Sequence, residues 1–198
     1  MHAVRFHELG GEDRLRYEAV ADPLPGPGEA VVRVRACGVN HLDLDLRSGT
    51  SRFPVALPHI LGMEFSGEVV AVGTGVTTAK VGDRVMASAI PCETCRYCRT
   101  GRDNLCPEAR HYGVLTPGAY AGYVKGPARS LLPVPSGLGF EGAAAIQIAF
   151  GTAWHMLIVK GGLSPFSAGS TRSSAPVAGL ARRWKRWRTS PRGVCSLR

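Results

Sequence analysis

The chain has 198 residues and a formal net charge of +9, enough length for one domain with a full core or for one domain and the start of a second. The charge is unevenly placed: residues 163–198 hold eight basic side chains and no acidic one, which leaves 16 basic against 15 acidic over the first 162 residues. A basic nucleic-acid-binding face over the body of the chain is thereby excluded, and the lack of an apolar run of about eighteen residues, or of a charged-then-apolar leader, points to a soluble cytoplasmic protein.

In chain order, the opening MHAVRF alternates briefly, and GEAVVRVRACGV alternates valine with arginine at a period of two, as a strand with one wet face does. Antiparallel pairing is expected for both. Between them Pro23, Pro25, Gly26, Pro27 and Gly28 make a turn-rich connector. HLDLDLRSG reads as a short helical turn and FPVALPHILG as a proline-marked loop. Further β-rich runs follow in FSGEVVAVG, in GDRVMASAI after the turn GTGVTTAKV, and in GAYAGYVKG. Short strands punctuated by glycine and proline, with no helix repeated between them, predict a mainly β, barrel-like core over residues 1–138. From Gly139 the pattern FEGAAAIQIAFGTAWHMLIV becomes alanine-rich and apolar at helical spacing, which predicts a pair of buried helices over 139–162.

Within the β region, PCETCRYCRTGRDNLCP places Cys92, Cys95, Cys98 and Cys106 in a C-x2-C-x2-C-x7-C run. That spacing lets a short lobe, residues 92–106, wrap four thiolates around one tetrahedral ion. Zinc fits best, and an all-thiolate shell leaves no position open for water, so the site is structural rather than catalytic. Two disulfides and an iron–sulfur cluster use the same residue type; the first sits poorly with cysteines only three apart and a reducing compartment, and the second shares the ligand set.

The segments ACGVNHLDLDLRSG, PHILGMEFSGEVVAVGTGV, VGDRV, the four-cysteine lobe, GAYAGYV and FEGAAAIQIAFGTAWHML stand in the order of a known family. Over residues 1–162 the chain resembles the medium-chain dehydrogenase/reductase superfamily, which includes zinc alcohol dehydrogenases and quinone reductases. The resemblance implies a GroES-like barrel followed by a doubly wound nucleotide-binding domain. It also implies an NAD(P)H cofactor, a small carbonyl or enone substrate, and homo-oligomers among intact members.

One departure changes the chemistry implied. In register with the family motifs, Asn40 stands where a zinc alcohol dehydrogenase has its first cysteine ligand, Met63 in GME replaces the histidine, and Ile148 lies near the last cysteine. Neither an amide nor an aliphatic chain replaces a thiolate, and a thioether binds Zn(II) poorly. Cys37 and His41 are close by in sequence, but the register puts neither at a ligand position. The resemblance therefore shifts toward zinc-independent quinone or enone reductases, with Asn40 as the cleft residue and Asp43 as its partner. Thr152, in FGTAW, matches a threonine near the nicotinamide. The residues also allow plainer roles: Asn40 as helix cap, Thr152 bonded to its own helix backbone, and Glu64 as a satisfied buried acid.

Beyond Leu163 the family continues into a strand and a G-x-G-x-x-G turn. Here the chain reads SPFSAGSTRSSAPVAGLARRWKRWRTSPRGVCSLR, an aberrant basic tail expected to be disordered and to reflect a reading-frame shift or truncation, with loss of activity. The competing reading is a zinc-stapled binding module whose Trp/Arg segment, Arg182–Arg188, contacts nucleic acid or a membrane surface.

Overall fold

The computed structural model of the chain describes residues 1–163; the basic tail and its Trp/Arg segment lie outside them. Residues 1–150 form one compact unit, from which the described residues after Phe150 are divided. The strands are β1 (His2–Phe6), β2 (Arg16–Ala19), β3 (Glu29–Cys37), β4 (His59–Ile60), β5 (Phe65–Val72), β6 (Arg84–Ala87), β7 (Ala89–Ile90), β8 (Arg110–His111), β9 (Tyr123–Pro127) and β10 (Leu132–Pro133). Helix α1 (His41–Ser48) interrupts them, and α2 (Phe140–Ala145) and α3 (Ile148–Trp154) follow. A five-stranded sheet runs β10-β6-β5-β3-β9, a three-stranded sheet β2-β1-β4, and a ribbon β7-β8, and every pairing is antiparallel.

The valine–arginine alternation of β3 holds in its second half, where Arg33 and Arg35 face water. In the first half Ala30, Val31 and Val32 are all buried. The β3–β5 register also breaks between Val31 and Val32, where Val70 of β5 is the extra residue without a partner in β3. A large apolar cluster built on Val32, Phe65, Val69, Val85, Tyr112 and Val124 fills the five-stranded sheet.

A second cluster consists of Phe6, Leu46, Leu61, Met63 and Val114, with Leu42, Tyr120 and Ile148 packed against it. It lies beneath α1, which is a full eight-residue helix rather than a single turn. Asn40 and Asp43 start it, and Gly49, in the left-handed region at φ 81, ends it. Asp43 and Leu46, three residues apart, share its buried face.

The expected pair of buried helices is half right. In α2, Ala143 and Ala144 are buried, Ser66 Oγ donates to the Phe140 carbonyl at 2.5 Å, and Gln147 Nε2 donates to the Phe65 carbonyl at 3.0 Å. No residue of α3 is buried; Phe150 is 66 % exposed and Trp154 57 %. Apolar periodicity marks a face able to be buried, whereas burial itself depends on a covering surface that periodicity does not report. Residues 137–142 also spell G-x-G-x-x-G, yet they lead into a six-residue helix over an antiparallel sheet, without the parallel βαβ setting that aims such a turn at a pyrophosphate.

Candidate functional site

The cysteine lobe projects from the β7–β8 ribbon through two 3-10 turns, Cys98–Thr100 and Asp103–Leu105, with Gly101 at φ 68 between them. All four Sγ atoms lie within 4.8 Å of one another. The Cys92–Cys98 separation is 3.9 Å and the Cys95–Cys98 separation 3.5 Å. A tetrahedron with Zn–S bonds of about 2.3 Å requires sulfur–sulfur edges of about 3.8 Å, so the donor set fits zinc in number, type and spacing. The thiols are free rather than paired in disulfides. Backbone N–H groups of Cys95, Cys98 and Cys92 point at the sulfurs of Cys92 (3.3 Å), Cys95 (3.5 Å) and Cys106 (3.5 Å), the outer support that orients ligands. Donation from the Cys95 N–H holds the Cys92 thiol down at about 6, while desolvation and the neighbouring sulfurs push Cys98 up to about 12. A bound dication would discharge the protons that these sulfurs otherwise share. Arg129 clasps the lobe to the barrel through Glu93 at 3.1 Å.

Some distance along the sequence from the lobe, a buried polar site forms where α1 begins. The Asp43 carboxylate, 2 % exposed, accepts from the Asn40 backbone N–H (2.8 Å), the Gly62 N–H (3.1 Å) and the Tyr120 hydroxyl (3.1 Å). Burial raises the Asp43 pKa above its ordinary value, and the three donors oppose that rise. Burial and the adjacent carboxylate push the Tyr120 hydroxyl up as well. Gly62 sits at φ 103 with no room for a Cβ beside Ala119 and Tyr120, so this turn requires glycine.

Asn40 and Glu64 meet directly. Asn40 Nδ2 donates to Glu64 Oε1 at 3.0 Å, and the Ile148 backbone N–H donates to Glu64 Oε2 at 2.8 Å. Glu64 is 3 % exposed, and Gly38 approaches it so closely that an added Cβ would overlap Oε1. Asn40 and Asp43 adopt the reciprocal capping-box arrangement; the Asp43 half is a full bond, whereas the Asn40 half falls short of hydrogen-bond geometry.

The structure thus brings Asn40 and Asp43 together and adds Glu64 to them. Met63 and Ile148 belong to one apolar cluster, where packing rather than ligation is what their side chains do. His41 is exposed, its Nε2 3.6 Å from Asp45 on the same helix, and the Cys37 thiol, half-buried, is pushed up to about 12 chiefly by desolvation. Neither joins a metal-ligating group; among the described residues the cluster of three or more such side chains is the four-cysteine lobe. Thr152 is exposed on α3, outside the compact unit of residues 1–150. The sequence reading missed Tyr120, whose hydroxyl reaches Asp43 across 77 residues. The available signal was the glycine-bracketed GAYAG, in which tight backbone packing of Gly118 against Leu61 fixes where the ring goes.

The alcohol dehydrogenase GroES-like domain model matches residues 26–136. Over 152 residues the chain is 39 % identical to an alcohol dehydrogenase of Geobacillus stearothermophilus, covering 74 % of this chain and 44 % of that protein. Among solved structures, an NAD-dependent alcohol dehydrogenase superposes with a TM-score of 0.79 at 42 % identity, over 84 % of this chain and 49 % of that one. A cobalt- and zinc-bound thermostable alcohol dehydrogenase from Pyrobaculum aerophilum gives 0.76 at 34 %, over 83 % and 50 %. The chain spans less than half the length of the curated relatives it matches.

Proposed function

The chain belongs to the alcohol dehydrogenase GroES-like domain family, and from that premise we propose that it is the substrate-binding half of an NAD(P)-dependent oxidoreductase that reduces a neutral carbonyl or an activated double bond without a catalytic metal. The observation that carries this reading is the Asn40–Glu64 hydrogen bond at 3.0 Å, in a place where Met63 and Ile148 contribute apolar packing. A reduced nicotinamide, when bound, supplies the hydride. The protein's part is to hold the substrate oxygen where negative charge develops. Asn40 donates an N–H to that oxygen, and Asp43 fixes the backbone of Asn40 from below. Zinc at Cys92, Cys95, Cys98 and Cys106 would keep the lobe folded and take no part in the reaction. Among the described residues no helix is long and apolar enough to cross a membrane.

No glycine turn of dinucleotide-binding spacing follows Leu163 in the sequence, so the chain alone is expected to hold NADH or NADPH weakly. Joining residues 1–162 to the C-terminal half of the Geobacillus stearothermophilus relative supplies the dinucleotide fold that the family resemblance implies. The hybrid should reduce 2-cyclohexenone or a quinone and oxidise no ethanol. Asn40→Ala should slow it about 10²-fold, the scale of losing one oxyanion donor. Zinc-dependent ethanol oxidation by the hybrid would contradict the proposal. The alternative of a nucleic-acid or membrane-binding module rests on Arg182–Arg188, outside the described residues.

A further inference from the structure

The Glu64 carboxylate bonds to two of the three positions where a zinc alcohol dehydrogenase would hold its catalytic metal. One carboxylate oxygen takes the Asn40 side-chain amide at 3.0 Å and the other takes the Ile148 backbone N–H at 2.8 Å, while its own carbonyl accepts the Gly38 N–H at 2.9 Å. Met63 precedes it in the chain and packs into the apolar cluster that Ile148 also borders. A buried carboxylate needs donors, and here they come from residues 40 and 148. Both Glu64 oxygens face N–H groups, so the amide of Asn40 must present nitrogen, not oxygen, to Glu64. The carboxamide is planar. With its oxygen turned toward the Asp43 backbone in the capping-box arrangement, one Nδ2 hydrogen is spent on Glu64 and the other is directed away from it. Asn40 is only half-buried.

We propose that Glu64 is a positioning residue: it takes over the place of the metal as the hub of the site, fixing the Asn40 carboxamide so that a single N–H is aimed at the oxygen of a neutral carbonyl, and tying that donor to the first residue of α3. The aim at a carbonyl rests on the function proposed above; the fixing of Asn40 by Glu64 does not. Two carboxylates, Asp43 and Glu64, border the donor without a Lys or Arg bonded to either among the described residues. That arrangement sets a negative local field, which favours uncharged carbonyls over keto acids.

The test is nuclear magnetic resonance on the full, zinc-loaded chain, with the Asn40 side-chain resonances assigned by their loss in Asn40→Ser. In the native chain a scalar coupling across the hydrogen bond from Asn40 Nδ2 to the Glu64 carboxyl carbon is expected, with two well-separated amide protons and a slowly exchanging Ile148 N–H. Glu64→Gln keeps the volume but sets an NH2 group against one of the two donors; the coupling should vanish and the Asn40 protons should collapse toward the positions of a free amide. Unchanged Asn40 resonances in Glu64→Gln would overturn the proposal. Should that variant fail to fold, an absent coupling together with a fast-exchanging Ile148 N–H in the native chain would overturn it equally. Addition of 2-cyclohexenone separates this claim from the one it rests on. A shift of the outward Asn40 proton, about ten-fold weaker in apparent affinity in Glu64→Gln and absent with pyruvate, supports both. A silent native Asn40 alongside an intact Glu64 coupling sinks the donor reading of Asn40, while the fixing of Asn40 by Glu64 stands.

Discussion

Replacing Tyr120 by phenylalanine removes one of the three donors to Asp43 and almost nothing else, because the ring keeps its place against the apolar cluster of Phe6, Leu46, Leu61, Met63 and Val114. A hydrogen bond to a charged acceptor is worth about 1.5–3 kcal/mol, and the remaining donors, the N–H groups of Asn40 and Gly62, come from backbone that cannot move closer. A loss of about 1.5–3 kcal/mol is therefore expected in urea unfolding of the zinc-loaded chain followed by far-UV circular dichroism. In a double-mutant cycle with Asp43→Asn, the pair should show a coupling of about 1–2 kcal/mol, since each change removes the partner of the other. The pH dependence has a definite sign. Burial raises the folded pKa of Asp43 above its ordinary 3.8, so the native state holds that proton more tightly than the unfolded chain. The stabilisation from this group is complete below 3.8 and is lost as pH rises through the folded value. The Tyr120 hydroxyl favours the ionised form, so the loss in Tyr120→Phe should grow toward neutral pH and shrink on mild acidification. A coupling near zero, or a loss that grows toward acid, would refute the account of Asp43 as a buried acid held by its three donors.

Gly38→Ala should cost about 1–3 kcal/mol in the same unfolding assay, the range for overpacking, because the new methyl overlaps the Glu64 carboxylate; a neutral effect would mean that Glu64 is not fixed where it stands. Leu46→Ala, at a fully buried position, should cost about 2–5 kcal/mol, whereas Trp154→Ser, on exposed α3, should stay within about 0.5 kcal/mol of the parent. Equal costs at the two positions would show that α3 is buried after all.

Some of this architecture was legible in the residues themselves. The cysteine spacing names its own geometry, because seven intervening residues folded into two 3-10 turns bring Cys106 back to the other three. Strand runs such as FSGEVVAV announce themselves through β-branched content, and β5 occupies Phe65–Val72. The departures that the family resemblance implies at positions 40, 63 and 148 are single letters in the sequence. What those letters do instead was not visible. Glu64 bonding to residue 148 and Tyr120 bonding to Asp43 span 84 and 77 residues, and no local periodicity encodes a pairing at that range. Asn40 could be read as a helix cap or as a cleft residue, and the structure lets its backbone serve the first while its side chain turns to Glu64. The break in the β3–β5 register escaped for a different reason: valine suits either face of a strand, so the extra Val70 in β5 leaves no mark in composition.

The most direct test of a protein with one structural metal and a metal-free substrate site is elemental analysis of the purified chain beside its Cys98→Ser and Glu64→Gln variants. One zinc per chain is expected, lost in Cys98→Ser together with the fold of the lobe, since a structural zinc contributes roughly 10 kcal/mol or more, and retained in full in Glu64→Gln. Two tightly held zinc ions per chain, with one surviving Cys98→Ser and lost on changing Glu64 or Cys37, would place a metal in the site assigned here to Asn40 and contradict the account.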